Sequence, residues 1–491
     1  MLRPRWGDGK HPLNCRKNQK ENRRSQHAHT TQQEKEQAEV IDELRPDREY
    51  FATGLPWLGK VPSHWEVRRN GRLFLQRNET GFPELPVLEV SLKTGVRVRD
   101  FDNSTRKQVM SDPDKYKRAR RGDIAYNMMR LWQGAVGVAP VDGLVSPAYI
   151  VAKPLAETDT RYYAYLFRIG AYMDEVNKFS RGIVSDRNRL YWEDFKQMPS
   201  PFPPPEEQAA IVRFLDHAER RIRRYIRAKR QLIALLGEQK QALIHRAVTR
   251  GLDPNVRLKP SGVEWLGDVP EHWEVQRSRY IFREIDKRSV DGSEQHLSMS
   301  QKLGLVPSHL VDNRTLVSES YAGGKLCQID DLVLNRLKAH LGVFAFAQHA
   351  GVISPDYTVL RAIEPSGVKY FEQVLRSPAC RFELRVRAKG IVEGFWRLYT
   401  DDFYDIRVPV PSPNERAEIV AHIERATAEC DLAVRAAERE CELLREYRTR
   451  LIADVVTGKL DVREAAARLP DEVDESETIA RFYVTQPVGL G

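Results

Sequence analysis

Cysteine is scarce in this 491-residue chain: Cys15, Cys327, Cys380, Cys430 and Cys441 are an odd five with no CxxC pair. That pattern excludes a disulfide framework and the common zinc sites, and it reads as reduced thiols. Apolar runs are short. None approaches the roughly 20 residues that cross a bilayer, and the N-terminus lacks a signal-peptide core. A cytoplasmic chain with no membrane partner is expected. Glycine motifs that cradle phosphates are missing as well. No GxGxxG follows a strand, no GxxxxGK[ST] loop occurs, and no PD…ExK-like nuclease cluster stands out. The expectation is a chain with no cofactor, no metal and no catalytic residue of its own.

What is present is basic. Lys and Arg number 78 against 69 acids, for a net charge of +9, and 41% of residues are hydrophobic. Such a length fills two to four domains. The charge balance fits an anionic partner such as nucleic acid. Residues 1–49 are rich in Lys, Arg, Gln, Asn and His and read as a disordered basic tail.

The dominant feature is a repeat. "WLGKVPSHWEV" at 57–67 returns as "WLGDVPEHWEV" at 265–275, 208 residues later. At the same offset "GDIAYNMMRLWQG" meets "DDLVLNRLKAHLG", "GLVSPAYIV" meets "GVISPDYTV", and "GIVSDRNRLYWEDF" meets "GIVEGFWRLYTDDF". The register holds without a net gap. A period this long means two tandem modules and not a solenoid.

Each module opens with short β-branched and aromatic runs broken by Gly and Pro, with helical stretches between them. This predicts a mixed α/β (α+β) globule. Each globule exits through a proline cluster, "PSPFPPPEEQ" or "PVPSPNERAE", into about 42 residues without proline. Apolar residues there recur at steps of four and three, the mark of a long helix of coiled-coil type. The seam is predicted to run through Ile211, Leu215, Ala218, Ile222, Tyr225, Leu232, Leu236 and Leu243. Its counterpart includes Ile419, Ile423, Leu444, Tyr447 and Leu451. Residues 213–250 hold eleven basic and three acidic residues, and residues 421–458 hold six and eight. Net charges of +8 and −2 favour pairing with each other over self-pairing. An antiparallel, pseudo-twofold coiled coil is expected; packing of each helix on its own globule is the alternative. The boundaries follow: tail 1–49, globule 50–204, helix 205–250, globule 251–412, helix 413–458 and a C-terminal tail 459–491.

The doubled "WLGxVPxHWEV" opening, the proline-rich exits and the globule–helix–globule–helix order resemble the specificity subunit of type I restriction–modification enzymes. The resemblance spans about residues 50–460. It implies two target-recognition domains that read the halves of a bipartite, asymmetric double-stranded DNA site. It implies helices that set the spacing and dock two methyltransferase (M) subunits, with motor-nuclease (R) subunits joining the complex. It also implies a non-catalytic role. The Asn/Asp-Pro-Pro-aromatic loop of amino-methyltransferases is indeed missing, since the only Pro-Pro run, "FPPPEEQ", starts a helix. Two other readings stand beside it: a self-contained methyltransferase or nuclease with diverged motifs, and a coiled-coil scaffold that binds protein only.

The repeat also sorts candidate DNA contacts. Positions alike in both copies should fold the head or hold phosphates, and positions that differ can read bases. The shared basic positions are Arg130/Lys338, Arg181/Lys389 and Arg189/Arg397, with solvated charges or internal ion pairs as the alternative. Taken as copy-specific are Arg97, Arg99, Arg106, Lys107, Lys117, Arg118, Arg120, Arg121 and Arg187 in the first head. In the second they are Lys302, His309, Arg314, Lys325 and Arg336, with Gln108 and Gln301 of the adenine-reading type. Trp57, Trp65, Trp265 and Trp273 should pin the opening phrase to each globule. His64 and His272 have no neighbours at ligand spacing and read as packing histidines.

Overall fold

The repeated phrase folds the same way twice. Gly59 and Gly267 take the left-handed conformation, at φ 70° and 66°, and turn the chain into the short strands Lys60–Pro62 and Asp268–Pro270. The computed structural model describes residues 44–99, 112–182, 188–300, 303–311, 321–365, 367–390 and 396–470. The chain divides into two units. One runs up to Ile226 and takes in the segment from Glu442 onward; the other is Arg227–Cys441.

In the first unit four antiparallel strands lie in the order Phe74–Arg77, Tyr149–Pro154, Ile124–Asn127, Val136–Val138. Alternation sorts their side chains, as it must on a pleated strand. Ile124, Tyr126, Ile150 and Ala152 face the main core, and Ala125 and Val151 face a smaller one. Helices Thr160–Leu166 and Gly170–Phe179 bring Tyr163, Phe167 and Tyr172 into the main core. Tyr163 meets Phe74 edge-on at 5.3 Å between ring centroids. Strand Glu66–Arg69 pairs with Pro199–Phe202, so the entrance and exit of the head are sewn together. The second unit repeats this plan with strands Phe282–Glu284, Tyr357–Ala362, Leu332–Asn335 and Phe344–Phe346.

A buried carboxylate sits at the same place in both heads, but its cation comes from different strands. Asp123 accepts from Arg77 Nε at 2.7 Å, whereas Asp331 accepts from Arg361 Nε at 2.8 Å. Each carboxylate also caps the turn before it, through Arg120 N and Gln328 N, both at 2.8 Å.

Two long helices, Pro205–Arg250 and Pro413–Val456, complete the mixed α/β architecture. In each unit they run antiparallel. In the second, Lys229 pairs with Glu440 at 2.6 Å and Lys240 with Asp431 at 2.6 Å. In the first, Glu219 accepts from Arg448 Nε at 2.8 Å, and Arg213 reaches the Leu469 carbonyl at 2.6 Å. Ile211, Leu215, Ile222, Ile419, Ile423 and Leu451 are buried, and Leu236, Leu243 and Leu444 are half-buried. The predicted seam fails at Tyr447, which is 41% exposed, and at Tyr225 and Leu232, which are 43% and 42% exposed. Ile226 and Ile233 turn inward instead. The seam steps through 222, 226, 229, 233, 236 and 240, so Lys229 and Lys240 lie on it. Their long aliphatic stems let the ammonium groups reach acids across the pair from these positions.

Each helix ends on a left-handed glycine, Gly251 or Gly458, both at φ 74°. The indole of Trp273 packs on Gly251 and that of Trp65 on Gly458. His64 bonds Glu207 at 2.7 Å, in the first turn of the central helix, and His272 reaches Glu415 of the distal helix at 3.2 Å. Thus each opening phrase clamps the start of one long helix to the end of the other.

The terminal tails need correction where they are described. Val462, Ala465, Ala466 and Leu469 are buried in the first unit's core and Leu44 packs against it. Arg45 bridges Asp461, and Arg463 pairs with Asp47 at 3.1 Å. The apolar spacing from 462 to 469 is too short to stand out in the sequence. Residues 1–43 and 471–491 lie outside the described part. No helix among the described residues is long and apolar enough to cross a membrane.

Candidate nucleic-acid interface

The heads share a constellation built from three pieces of the repeat. The first is a turn. Strands Ile124–Asn127 and Leu332–Asn335 end on asparagines that cap the backbone ahead. Asn127 Oδ1 accepts from Met129 N at 2.9 Å, and Asn335 Oδ1 from Leu337 N at 3.1 Å. A single 3-10 turn follows, closed by Gly134 or Gly342 at φ 85° and 77°. Arg130 and Lys338 stand exposed at the head of this turn.

The second piece is the Ser-Pro-x-Tyr turn. Tyr149 and Tyr357 lie opposite Asn127 and Asn335 in the strand register. Burial pushes both phenols upward in pKa, and a hydrogen bond with the facing asparagine works against that push. The third piece is a loop stem. Arg181 bridges Arg189, and Lys389 bridges Arg397. The stem is sewn to the turn because Leu190 N donates to the Met128 carbonyl at 2.9 Å and Leu398 N to the Arg336 carbonyl at 3.0 Å.

The geometry separates the shared basic residues into two kinds. Arg181 pairs with Asp194, and Lys389 with Asp402 at 2.7 Å. These two brace the stem, and the hydrogen bond with Asp402 raises the Lys389 pKa, helped by that carboxylate's charge. Arg130 and Arg189 in one head, and Lys338 and Arg397 in the other, remain exposed beside the Asn–Tyr pair. Among the described residues the acid facing Arg397 is a distant Asp356 at 3.7 Å.

The copy-specific candidates scatter. Arg97 pairs with Glu89 inside the hairpin Leu88–Val98. Arg99 is half-buried, its backbone bonded to Val87. Arg118 lies over the Phe82 ring and pairs with Asp142 at 2.7 Å. Arg120 reaches Glu79 at 3.4 Å, and Arg121 is exposed with its backbone bonded to Asp142. His309 is exposed. Lys325 is a correction: it is 2% exposed, with Nζ 3.0 Å from Glu284, so it faces the protein interior. Arg106 and Arg314 are in fact 208 residues apart and so not copy-specific, and the same holds for Lys117 and Lys325. The two lysines lie on equivalent strands, Lys117–Ala119 and Lys325–Cys327. Lys117 donates to the Tyr149 carbonyl at 2.9 Å, and burial lowers its pKa. Arg106, Lys107, Gln108, Arg187, Gln301, Lys302 and Arg314 lie outside the described residues.

Sequence reasoning did not single out Asn127/Asn335 and Tyr149/Tyr357 as interface residues. Their identity in both copies was the available signal. Among the described residues no group of three or more His, Cys, Asp or Glu could hold a metal. Burial raises the pKa of the free thiols Cys327 (to about 11) and Cys380, which disfavours thiolate chemistry.

No family model and no curated protein matches the chain. Solved structures do resemble it. One comes from work on complex assembly and conformational transition of the type I R-M system. It superposes with a TM-score of 0.60 at 16% identity, covering 82% of this chain and 99% of that one. The HsdS subunit of Thermoanaerobacter tengcongensis gives 0.46 at 16% identity, with 82% and 98% covered. The S subunit of the type I restriction-modification system of M. genitalium gives 0.31 at 14%, with 83% and 97% covered. The first of these likenesses carries the fold.

Proposed function

We propose that this chain is the specificity subunit of a type I restriction–modification complex. Its two heads bind double-stranded DNA and read the two halves of a bipartite, asymmetric site. The long helices set the spacing and dock two methyltransferase subunits, and motor-nuclease subunits join through the assembly. The chain performs no chemistry itself and acts in the cytoplasm, where the DNA is. The observation that carries this reading is the fold likeness over 99% of a solved type I R-M chain. The twin constellation adds support, because two copies of one exposed basic turn suit two equivalent stretches of DNA backbone.

Within this reading Arg130, Arg189, Lys338 and Arg397 neutralise phosphates, each contributing a little under one unit to the salt slope of binding. Arg181 and Lys389 hold the stem behind them. The test is mapping of methylated adenines in cells that carry the complete system, together with salt-titrated DNA binding by the purified complex. A split motif with an unread gap and a steep salt dependence are expected. Salt-independent binding, or methyl transfer by the isolated chain, would refute the proposal.

A further inference from the structure

The second head carries a set of polar residues that the first head lacks as a set. Glu284, Arg336, Thr358 and Thr400 stand where the first head has Gln76, Met128, Ile150 and Trp192, each 208 residues earlier. In the first head Met128, Ile150 and Trp192 belong to or pack against an apolar core. The same site in the second head is a hydrogen-bonded network. Arg336 Nε donates to Thr358 Oγ1 at 2.7 Å, and Nη2 donates to Glu284 Oε1 at 3.2 Å. The Glu284 carboxylate is fixed in turn by Lys325 Nζ at 3.0 Å and by a hydrogen bond with Thr400.

Stability alone is a poor reason for this exchange. Even a fully buried ionic network is often no more stabilising than a well-packed apolar set of similar volume; this one is only partly buried, and the first head shows that an apolar set suffices. What the network achieves is aim. A guanidinium has five N–H donors in a rigid fork. Thr358 and Glu284 occupy the Nε–Nη2 edge, and the Nη1–Nη2 edge is left over. Among the described residues nothing accepts from Nη1. The side chain is 26% exposed, on the turn that carries exposed Lys338. The paired Nη1 and Nη2 donors match the O6 and N7 acceptors of guanine in the major groove.

We propose that Arg336 reads a guanine in the half-site of the second head, with Glu284 and Thr358 as positioning residues. This rests on the DNA-reading function proposed above. The first head has Met128 at this point and has no such reader there.

The test uses the complex of the full chain with its methyltransferase subunits. Motifs are mapped for wild type, Arg336→Met, Arg336→Lys and Glu284→Gln, with melting temperatures measured alongside. Met and Gln are the residues the first head tolerates, and Lys keeps the charge but loses the fork. Relaxation at a single G·C pair of one half-site is expected for both Arg336 variants, with discrimination falling roughly 5- to 150-fold and the other half-site unchanged. Glu284→Gln relaxes the same pair to a smaller extent. An unchanged motif overturns the assignment. So does weakening that is uniform across sequences, which would make Arg336 a phosphate contact, and so does a wild-type motif with no G·C pair in either half. If the wild-type complex gives no split motif at all, the function proposed above fails, and that outcome is visible before any variant is made.

Discussion

Two glycines illustrate how the local surroundings of one residue set the sign of a substitution. Gly458 has φ 74°, and a Cβ there would lie 2.4 Å from Pro62 Cδ and 2.9 Å from Trp65 Cη2. Gly458→Ala combines left-handed strain with a clash against a ring that cannot move aside. It should destabilise the first unit by about 2 kcal/mol or more. Gly237 sits inside the central helix with nothing within 4 Å of its virtual Cβ. Gly237→Ala should stabilise by about 0.5–1 kcal/mol. Urea melts of both variants check the pair of signs. Acid response is also a matter of single residues. The hydrogen bond from Arg463 holds Asp461 below the usual carboxylate range, against the opposing effect of burial. Burial pushes Glu284 upward, but Thr400, Lys325 and Arg336 together hold it low. Both groups therefore contribute stability that is complete above their unfolded values near pH 4. That stability is lost as pH falls through the lower folded values. The stability gap between wild type and Glu284→Gln should narrow as the pH is taken from 7 to 3.

Among the elements, the long helices were legible in their ends and less so in their faces. Proline marks where each begins, the proline-free run gives its length, and opposite net charge names its partner. Reading the seam from apolar residues alone misplaced Tyr225, Leu232 and Tyr447, because Lys229, Lys240 and Arg448 occupy seam positions. A lysine with an acid across from it passes for surface in a sequence. The consequence can be measured. Ile233 is half-buried and Leu232 is 42% exposed. Ile233→Ala should cost about 1–2 kcal/mol, less than a fully buried site, and Leu232→Ala about 0.5 kcal/mol or less. The reverse order in thermal melts would restore the seam predicted from sequence. The cross-helix ion pairs add little on their own, since partly exposed pairs contribute about 0.2–1 kcal/mol each.

For the whole molecule, the internal repeat made two mixed α/β heads and half of the candidate interface readable before any coordinates. Arg130/Lys338 and Arg189/Arg397 emerged because both copies keep them. The Asn–Tyr pair did not, because neither residue is charged and identity between copies alone equally marks a residue that folds the head. Least legible was the way the chain closes on itself. The first unit draws its core from the first head, the start of the central helix, the end of the distal helix and the residues beyond it. Leu451, Val455, Val456, Val462, Ala465, Ala466 and Leu469 are all buried there, more than 230 positions from the head they complete. A Leu or Val side chain contributes about 1.5–3 kcal/mol on burial, against a net stability of about 5–15 kcal/mol for a domain. A chain ending after Arg450 should therefore lose the first unit's fold. The second unit's core contains none of these residues and should keep its own. Limited proteolysis with mass mapping distinguishes the outcomes: cleavage should spread through residues 54–226 while 227–441 stays protected. Equal protection of both stretches would mean that the first head closes without the distal segment.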